Sequence, residues 1–230
     1  MRLGRPYKLT FSITYSCQSK CLTCNIWQIK PKGELDLREI RAFADKNPYF
    51  KWIEITGGEP FLRSDIVDIV KAFAESSKSL YVLTMPTNSL CRLESEIERI
   101  EEILKIGIPK VSITLSLDGY GELHDKIRGI PGNYSRVMAM AKKLKELQAT
   151  YKNLFFVFGY TMSKFNEGRL IDTVESVKKE MPWVTYNNFH VNAGQVSEIY
   201  VAVAVKEERR IKAPPLHRRI AGLYVVVKLP

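Results

Sequence analysis

The sequence predicts an α/β protein in which parallel strands alternate with crossover helices. Six strand-like segments alternate with helix-like segments along the 230 residues. Parallel neighbours in a sheet need a long crossover connection, usually a helix, so this alternation favours a parallel sheet. Apolar residues make up 45% of the chain, which is enough for a sizeable core. A barrel, a partial barrel and an open doubly wound sheet all fit the pattern.

The strands are predicted from apolar segments with a period of two. Residues 9–15, LTFSITY, and residues 111–117, VSITLSL, alternate apolar with small polar side chains. The connections after the first and fourth strands exceed the roughly 30 residues of a plain βα unit. Loops that follow parallel strands build the active sites of barrels, so these two long loops are expected to be functional. The predicted strands begin near Lys8, Trp52, Leu80, Lys110, Leu154 and Val184.

The helices are predicted from apolar residues spaced i, i+3, i+4 and i+7. Asp36 and Glu39 are typical of a capping box, and Ser64 is a predicted N-cap. Gly107 and Pro109 are expected to end the third of the helices. Helical faces are indicated within residues 66–73, 93–104, 137–144 and 170–181.

The C-terminal part of the chain departs from this alternation. Residues 1–196 are expected to form the core domain, and residues 197–230 an atypical basic tail. The tail carries seven Lys or Arg residues against three Glu, and two prolines exclude a regular helix from its middle. Residues 200–205 and 223–227 look like strands. We expect this tail to be a truncated or replaced C-terminal part.

Charge and hydropathy limit the remaining possibilities. The formal net charge is +10, but basic and acidic residues are interleaved through the helices, so nucleic-acid binding is not expected. No run of 18 apolar residues occurs, which predicts no membrane span. The N-terminus lacks the apolar segment of a signal peptide. A cytoplasmic protein is therefore expected.

Three of the four cysteines form one cluster. Cys17, Cys21 and Cys24 are spaced C-x3-C-x2-C in the loop after the first strand. Clustered thiolates in such a chain point to a soft metal: zinc, copper(I) or an iron–sulfur cluster. Structural zinc prefers four ligands, usually in two pairs, but no second pair and no histidine lies near the cluster. Three ligands would leave one coordination position open, as a catalytic centre needs.

This spacing resembles the signature of the radical S-adenosylmethionine (SAM) enzymes. In that family three cysteines hold a [4Fe-4S] cluster, and the amino and carboxylate groups of SAM chelate the fourth iron. The resemblance implies that Cys17, Cys21 and Cys24 are cluster ligands. It also implies a partial (β/α)6 TIM-like barrel with the site at the carboxyl ends of its strands.

A second motif follows the second strand. Gly57, Gly58, Glu59 and Pro60 match the GGEP motif that lines the SAM amino group in this family. Glycines would allow the backbone to approach a ligand closely, and the Glu59 carboxylate would suit an ammonium group. The alternative is a Gly-Gly turn that merely connects strand to helix.

Further matches follow the third and fourth strands. Residues 116–119, SLDG, and 124–129, HDKIRG, closely resemble members related to molybdopterin-biosynthesis enzymes and peptide-modifying maturases. The resemblance implies that Asn88 contacts SAM, and that Ser116 and Arg128 approach its ribose and carboxylate. The alternative for the last motif is a surface loop with an ion pair between Asp125 and Arg128.

Other residues are weaker candidates. Thr161 and Asn166 stand where the family carries polar residues, and His190 is either a substrate contact or a structural residue. Cys91 is expected to be a partly buried free thiol. One departure concerns the position before the third cysteine, which is usually aromatic in the family and is threonine here. Trp27 is expected to supply some of the missing surface near the adenine.

The resemblance implies a reaction and its partners. It implies reductive cleavage of SAM at the [4Fe-4S] cluster, giving a 5′-deoxyadenosyl radical that abstracts hydrogen from a substrate. The expected partners are a small-molecule or peptide substrate and an electron donor such as ferredoxin or flavodoxin. Two alternatives stay open: a non-catalytic metal- or cluster-binding module, and an inactive truncated barrel.

Overall fold

The computed structural model describes residues 5–193 and the backbone of a strand at 224–227. The strands are β1 (Lys8–Thr14), β2 (Trp52–Gly57), β3 (Val82–Thr87), β4 (Lys110–Ser116), β5 (Leu154–Met162), β6 (Phe189–Ala193) and β7 (Tyr224–Val227). The α-helices are α1 (Leu37–Lys46), α2 (Ile66–Ser76), α3 (Leu93–Lys105), α4 (Glu122–Arg128), α5 (Asn133–Thr150) and α6 (Leu170–Glu180). Short 3-10 turns occupy Ile26–Gln28, Pro60–Leu62 and Tyr186–Asn188.

These strands form one parallel sheet in the order β6-β5-β4-β3-β2-β1-β7. Strands β6 and β7 lie at opposite edges, and no pairing within the described residues closes the sheet. The α/β prediction is confirmed, and the open sheet agrees with a partial barrel. The third strand begins at Val82 and the sixth at Phe189, later than predicted. The sixth is delayed because Thr185 and Asn188 form a capping box around a 3-10 turn.

The two faces of the sheet differ in chemistry. On one face, side chains such as Phe11, Ile55 and Ile113 are buried in one hydrophobic core with the helices. On the other face, neighbouring side chains such as Ser12 and Thr56 are polar and half-buried. We call this second surface the polar face; it comprises Thr10, Ser12, Glu54, Thr56, Thr84, Ser112, Thr114 and Ser116. The period-two pattern of the strands therefore separates a helix-covered face from a hydroxyl-lined one.

The helix signals are largely confirmed. Asp36 and Glu39 form the predicted capping box at the start of α1. Ser64 is not the N-cap of α2; that position is Asp65, whose carboxylate binds Arg63 instead of capping the helix. Gly107, with a φ of +88°, follows the end of α3 as predicted. None of the described helices is long and apolar enough to cross a membrane.

One part of the predicted tail belongs to the sheet. The strand expected at 223–227 is β7. It pairs with β1 in parallel, and its Tyr224 lies opposite Lys8 of β1. The strand-like segment 200–205 lies outside the described residues. The division into a core at 1–196 and a tail at 197–230 stays a prediction.

The capping box makes a testable contribution to stability. We expect Asp36→Ala to lower the free energy of unfolding by about 1 kcal/mol, because the Glu39 N–H loses its side-chain acceptor. Urea denaturation of the variant and of Glu98→Ala, which removes an exposed carboxylate in the middle of α3, measures the effect. Equal losses in the two variants would contradict a capping role.

Candidate active site

Four loops meet at the carboxyl edge of the sheet, where parallel strands end together. They follow β1, β2, β3 and β4, and each carries one of the motifs found in the sequence. We call residues 15–25, after β1, the cysteine loop. The other three loops all make hydrogen bonds to it.

The cysteine loop holds three free thiols. Cys21 is buried, and Cys17 and Cys24 are half-buried. The pKa of the Cys17 thiol is raised to about 11, mainly by burial and to a smaller extent by electrostatic interaction with Cys21, Glu59 and Cys24. Burial also raises the pKa of Cys24. The three side chains therefore lie within electrostatic range of one another, and the surroundings of Cys17 and Cys24 disfavour their thiolate forms unless a cation compensates.

The start of this loop is fixed by a residue that the sequence did not single out. The Glu34 carboxylate accepts hydrogen bonds from the Thr14 hydroxyl at 2.9 Å and from the Tyr15 N–H at 2.6 Å. Nothing in the sequence marks Glu34, which lies in the connection between the cysteines and α1. Its contacts hold the start of the cysteine loop against the connection that leads to α1.

The GGEP motif binds the cysteine loop through its backbone. The N–H of Gly58 donates to the Thr14 carbonyl at 2.7 Å, and the N–H of Glu59 donates to the Ser16 carbonyl at 2.8 Å. A Cβ atom at Gly57 would lie 2.1 Å from the Thr14 oxygen, and one at Gly58 equally close to the Ser16 oxygen. Both glycines are thus required by the chain's own packing, and close approach to a ligand stays a prediction.

The Glu59 side chain lies inside the protein. Its carboxylate accepts the N–H of Phe61 at 3.1 Å and the N–H of Asn88 at 2.7 Å, so it joins the loops after β2 and β3. Burial, and next the neighbouring Glu96 carboxylate, raise its pKa. Burial also raises the pKa of Glu96, which accepts a hydrogen bond from Thr87. In this position Glu59 fixes the shape of the site, and its predicted contact with an ammonium group is untested.

Asn88 connects the third loop to the first. Its side-chain amide nitrogen lies 3.7 Å from the Cys17 sulfur and donates to the side-chain oxygen Oε1 of Gln18 at 3.2 Å. Gln18 in turn donates to the Cys91 sulfur at 3.5 Å. Cys91 is a free, half-buried thiol, as predicted, and contacts the cysteine loop through Gln18.

The last carbonyls of α4, which have no partner inside the helix, accept backbone hydrogen bonds from the cysteine loop. The N–H of Lys20 donates to the Arg128 carbonyl at 3.0 Å, and the N–H of Leu22 donates to the Ile127 carbonyl at 2.8 Å. Gly129 ends the helix with a φ of +68°, and a Cβ atom there would lie 2.5 Å from the Lys20 oxygen. Glycine at this position is therefore needed twice, for its backbone angle and for the contact.

The Arg128 side chain reaches the centre of the loop. Its Nη1 is 3.7 Å from the Cys21 sulfur, and its Nε is 2.8 Å from Oδ2 of Asp118. The second contact is an ion pair whose atoms are not aligned for a hydrogen bond. The alternative ion pair with Asp125 is wrong, because that carboxylate accepts the backbone N–H of Gly132 instead. Arg128 is a buried residue of the site.

A buried histidine joins the loops after β3 and β4. Nδ1 of His124 accepts the N–H of Asp118 at 3.1 Å, so the ring proton lies on Nε2, which is 3.1 Å from Oδ1 of Asn133. Asn133 donates to the Asn88 carbonyl at 2.8 Å. Burial, and next the Arg128 charge, lower the pKa of His124 to about 3, so the ring is neutral. The sequence marked His124 only as part of HDKIRG, and its partner on α5 carried no signal.

The remaining candidates take varied positions. Pro60 is buried and begins the turn after GGEP, and Ser116 is half-buried at the end of β4 on the polar face. Asn166 is buried and donates to the carbonyls of Asp118 and Thr161, which is a structural role. His190 is exposed on β6, so a place in the core is excluded.

The donor set fits an iron–sulfur cluster. Among the described residues, no three His, Cys, Asp or Glu side chains converge on a single metal-ion position. A cluster instead binds each thiolate to a different iron, and hydrogen bonds to the sulfurs are usual. The cysteine loop supplies three thiols, two of which face N–H donors. These soft ligands and donors suit a [4Fe-4S] group.

The pairing between α4 and the cysteine loop can be tested with two glycines. Gly129 and Gly132 both have a positive φ, but a Cβ atom at Gly132 meets nothing within 4 Å. We expect each alanine variant to lose about 1 kcal/mol from backbone strain, and Gly129→Ala to lose more. Only Gly129→Ala should expose the loop near Lys20 to limited proteolysis. Equal sensitivity in the two variants would contradict the pairing.

The neutral His124 predicts a pH dependence of stability. The unfolded histidine binds a proton below about pH 6.5 and the folded one only below about 3, so stability falls as the pH drops. This group alone should remove about 2 kcal/mol between pH 7 and pH 5. Urea denaturation at pH 7 and pH 5 measures the difference in the free energy of unfolding. We expect this difference to shrink by about 2 kcal/mol in His124→Gln. It should be unchanged in His190→Gln, because His190 is exposed. An unchanged slope in His124→Gln would refute the assignment.

Comparisons with known proteins identify the family of this chain. A family model described as "Radical SAM superfamily" matches residues 11–177. The chain is 27% identical over 189 residues to an AdoMet-dependent heme synthase of Methanosarcina barkeri, covering 80% of this chain and 50% of that protein. It is 30% identical over 146 residues to the antilisterial bacteriocin subtilosin biosynthesis protein AlbA of Bacillus subtilis. That match covers 61% of this chain and 31% of AlbA. The chain thus spans half or less of these curated relatives.

A solved structure supports the fold. The protein anSMEcpe with bound AdoMet matches 82% of this chain and 51% of its own chain, with a TM-score of 0.64 and 21% identity. The predicted cofactors, a [4Fe-4S] cluster and SAM, are those that the matched family uses. Since the family model covers well over half of the chain, including the cysteine loop and Arg128, this chain belongs to the radical SAM superfamily.

Proposed function

We propose that this chain holds a [4Fe-4S] cluster through Cys17, Cys21 and Cys24 and uses it to cleave SAM reductively. When bound, the cluster and SAM supply a 5′-deoxyadenosyl radical that abstracts hydrogen from a substrate. The observation that carries the proposal is the convergence of three loops on the cysteine loop, with side-chain donors directed at two of its sulfurs. A loop that only connected β1 to α1 would not need these contacts.

The proposed SAM site is the surface formed by these same loops. The backbone of residues 57–60, Asn88 and Ser116 are proposed to contact SAM. The Nη2 group of Arg128 is the part of the guanidinium proposed to meet a carboxylate, since Nε and Nη1 face Asp118 and Cys21. Glu59 is proposed to act by holding the loops after β2 and β3 in place, which its two backbone hydrogen bonds support.

The substrate is proposed to lie over the polar face of the sheet. Hydroxyl groups line this face, and Ser116 lies at the same carboxyl edge of the sheet as the cysteine loop, which favours a polar substrate, either a peptide or a small molecule. A peptide is supported by the relative named for bacteriocin biosynthesis. The electron donor is proposed to be an acidic carrier such as ferredoxin or flavodoxin, which the +10 charge complements. A cytoplasmic location is proposed because free thiols stay reduced there.

Anaerobic reconstitution tests this function. We expect about four irons and four sulfides per chain after incubation with iron and sulfide, and 5′-deoxyadenosine after dithionite and SAM are added. Cys21→Ala should lose both the cluster and the product. Cys91→Ala is the matched control and should keep both, because Cys91 is not a proposed ligand.

Two results would overturn the proposal. One is a single zinc with no sulfide in the purified protein, which would favour a metal-binding module. The other is a complete cluster with no SAM cleavage under any reducing conditions, which would favour an inactive member of the family.

A further inference from the structure

The three proposed cluster ligands have unequal surroundings. The Cys17 sulfur faces the neutral amide of Asn88, whereas the Cys21 sulfur faces the guanidinium of Arg128, each at 3.7 Å. A charged donor interacts with a thiolate more strongly than a neutral amide does. Cys21 is also the most buried of the three cysteines, so water screens this contact least.

The Arg128 side chain is held in this position by a second buried charge. Asp118 is 1% exposed, and its Oδ2 lies 2.8 Å from Nε of Arg128. Its other oxygen accepts the N–H of Thr161 at 2.9 Å, and its own N–H donates to His124. Moving the guanidinium away would leave a buried carboxylate without its counter-charge, which is costly. The contact with Cys21 is therefore built into the fold.

We propose that Arg128 and Asp118 together set the reduction potential of the cluster. A positive charge and an N–H donor beside a ligand sulfur stabilise the reduced, more negative cluster, which raises its potential. Asp118 partly cancels this charge and limits the rise. The step is the gain of one electron by the oxidised cluster from an external low-potential one-electron donor; no bond or proton changes place. The inference rests on the proposed function, because it needs the cluster.

The two residues predict shifts of opposite sign. Replacing Arg128 by methionine removes the positive charge, so the cluster should become harder to reduce. Replacing Asp118 by asparagine leaves the guanidinium uncompensated, so the cluster should become easier to reduce. A purely structural role would disturb the site in the same way in both variants and would give no opposite signs.

The experiment is EPR-monitored potentiometry on the reconstituted 230-residue chain without SAM. At a fixed potential we expect the reduced-to-oxidised ratio to fall about tenfold in Arg128→Met, which is about 59 mV for one electron. Asp118→Asn should raise the reduced-to-oxidised ratio. The ratio in Arg128→Lys should lie between those of Arg128→Met and the wild type. Arg169→Met is the matched control, because Arg169 is exposed and pairs with Asp172.

The outcomes separate this inference from the function that it depends on. A wild-type protein that binds no iron and sulfide refutes the proposed function and the inference with it. A wild type with a full cluster, together with variant potentials that match the control, refutes the inference alone. If Arg128→Met fails to assemble a cluster, Asp118→Asn decides: an easier reduction supports the proposal, and an unchanged or harder one overturns it.

Discussion

The pairing of the cysteine loop with the end of α4 is the contact on which the rest of the site depends. Two backbone hydrogen bonds, from Lys20 and Leu22, dock a loop without secondary structure against a helix end. The pairing gives hydrogen-bond partners to backbone N–H and C=O groups that would otherwise be buried without a partner or would need water. Gly129 permits it, since any side chain there would collide with the Lys20 carbonyl. It also brings the Arg128 guanidinium to the sulfur of Cys21, so the same backbone pairing positions a charged group beside a proposed cluster ligand.

The polar interior of the site is organised around few charges. His124 is neutral and serves as both acceptor and donor between two loops, whereas Arg128 and Asp118 form the buried ion pair. The Glu59 and Glu96 carboxyl groups are two further buried titratable groups. Burial raises the pKa of both and so favours their protonated forms. Backbone N–H donors at both oxygens of Glu59 offset part of that cost. The result is a rigid polar frame behind the loops, of the kind that holds a cofactor site in place.

From the sequence, the architecture and the residues of the site could be predicted, but most of the side-chain contacts that these residues make could not. Strands and helices follow from apolar periodicity, which depends on neighbours in the sequence, and the motif residues follow from a resemblance. Contacts such as that of Arg128 with Asp118 depend on which way a side chain turns in three dimensions. The sequence suggested Asp125 because it is one helical turn away, but that carboxylate instead caps the following turn. Glu34 and Asn133 were missed for the same reason, since each acts through a distant partner.

The register of the central strands connects the fold to the site. In the pairing of β1 with β2, an irregularity between Ser12 and Thr14 brings Thr14 opposite Gly57. Without that extra residue in β1, the carbonyls of Thr14 and Ser16 would not lie against the N–H groups after β2. A one-residue slip would also turn every side chain to the opposite face of the sheet. The apolar face fixes the register because it is buried against the helices, and the fixed register in turn sets where the cysteine loop begins. The hydrophobic core thus helps to determine the position of the thiols, because it fixes the register of the strand that precedes them.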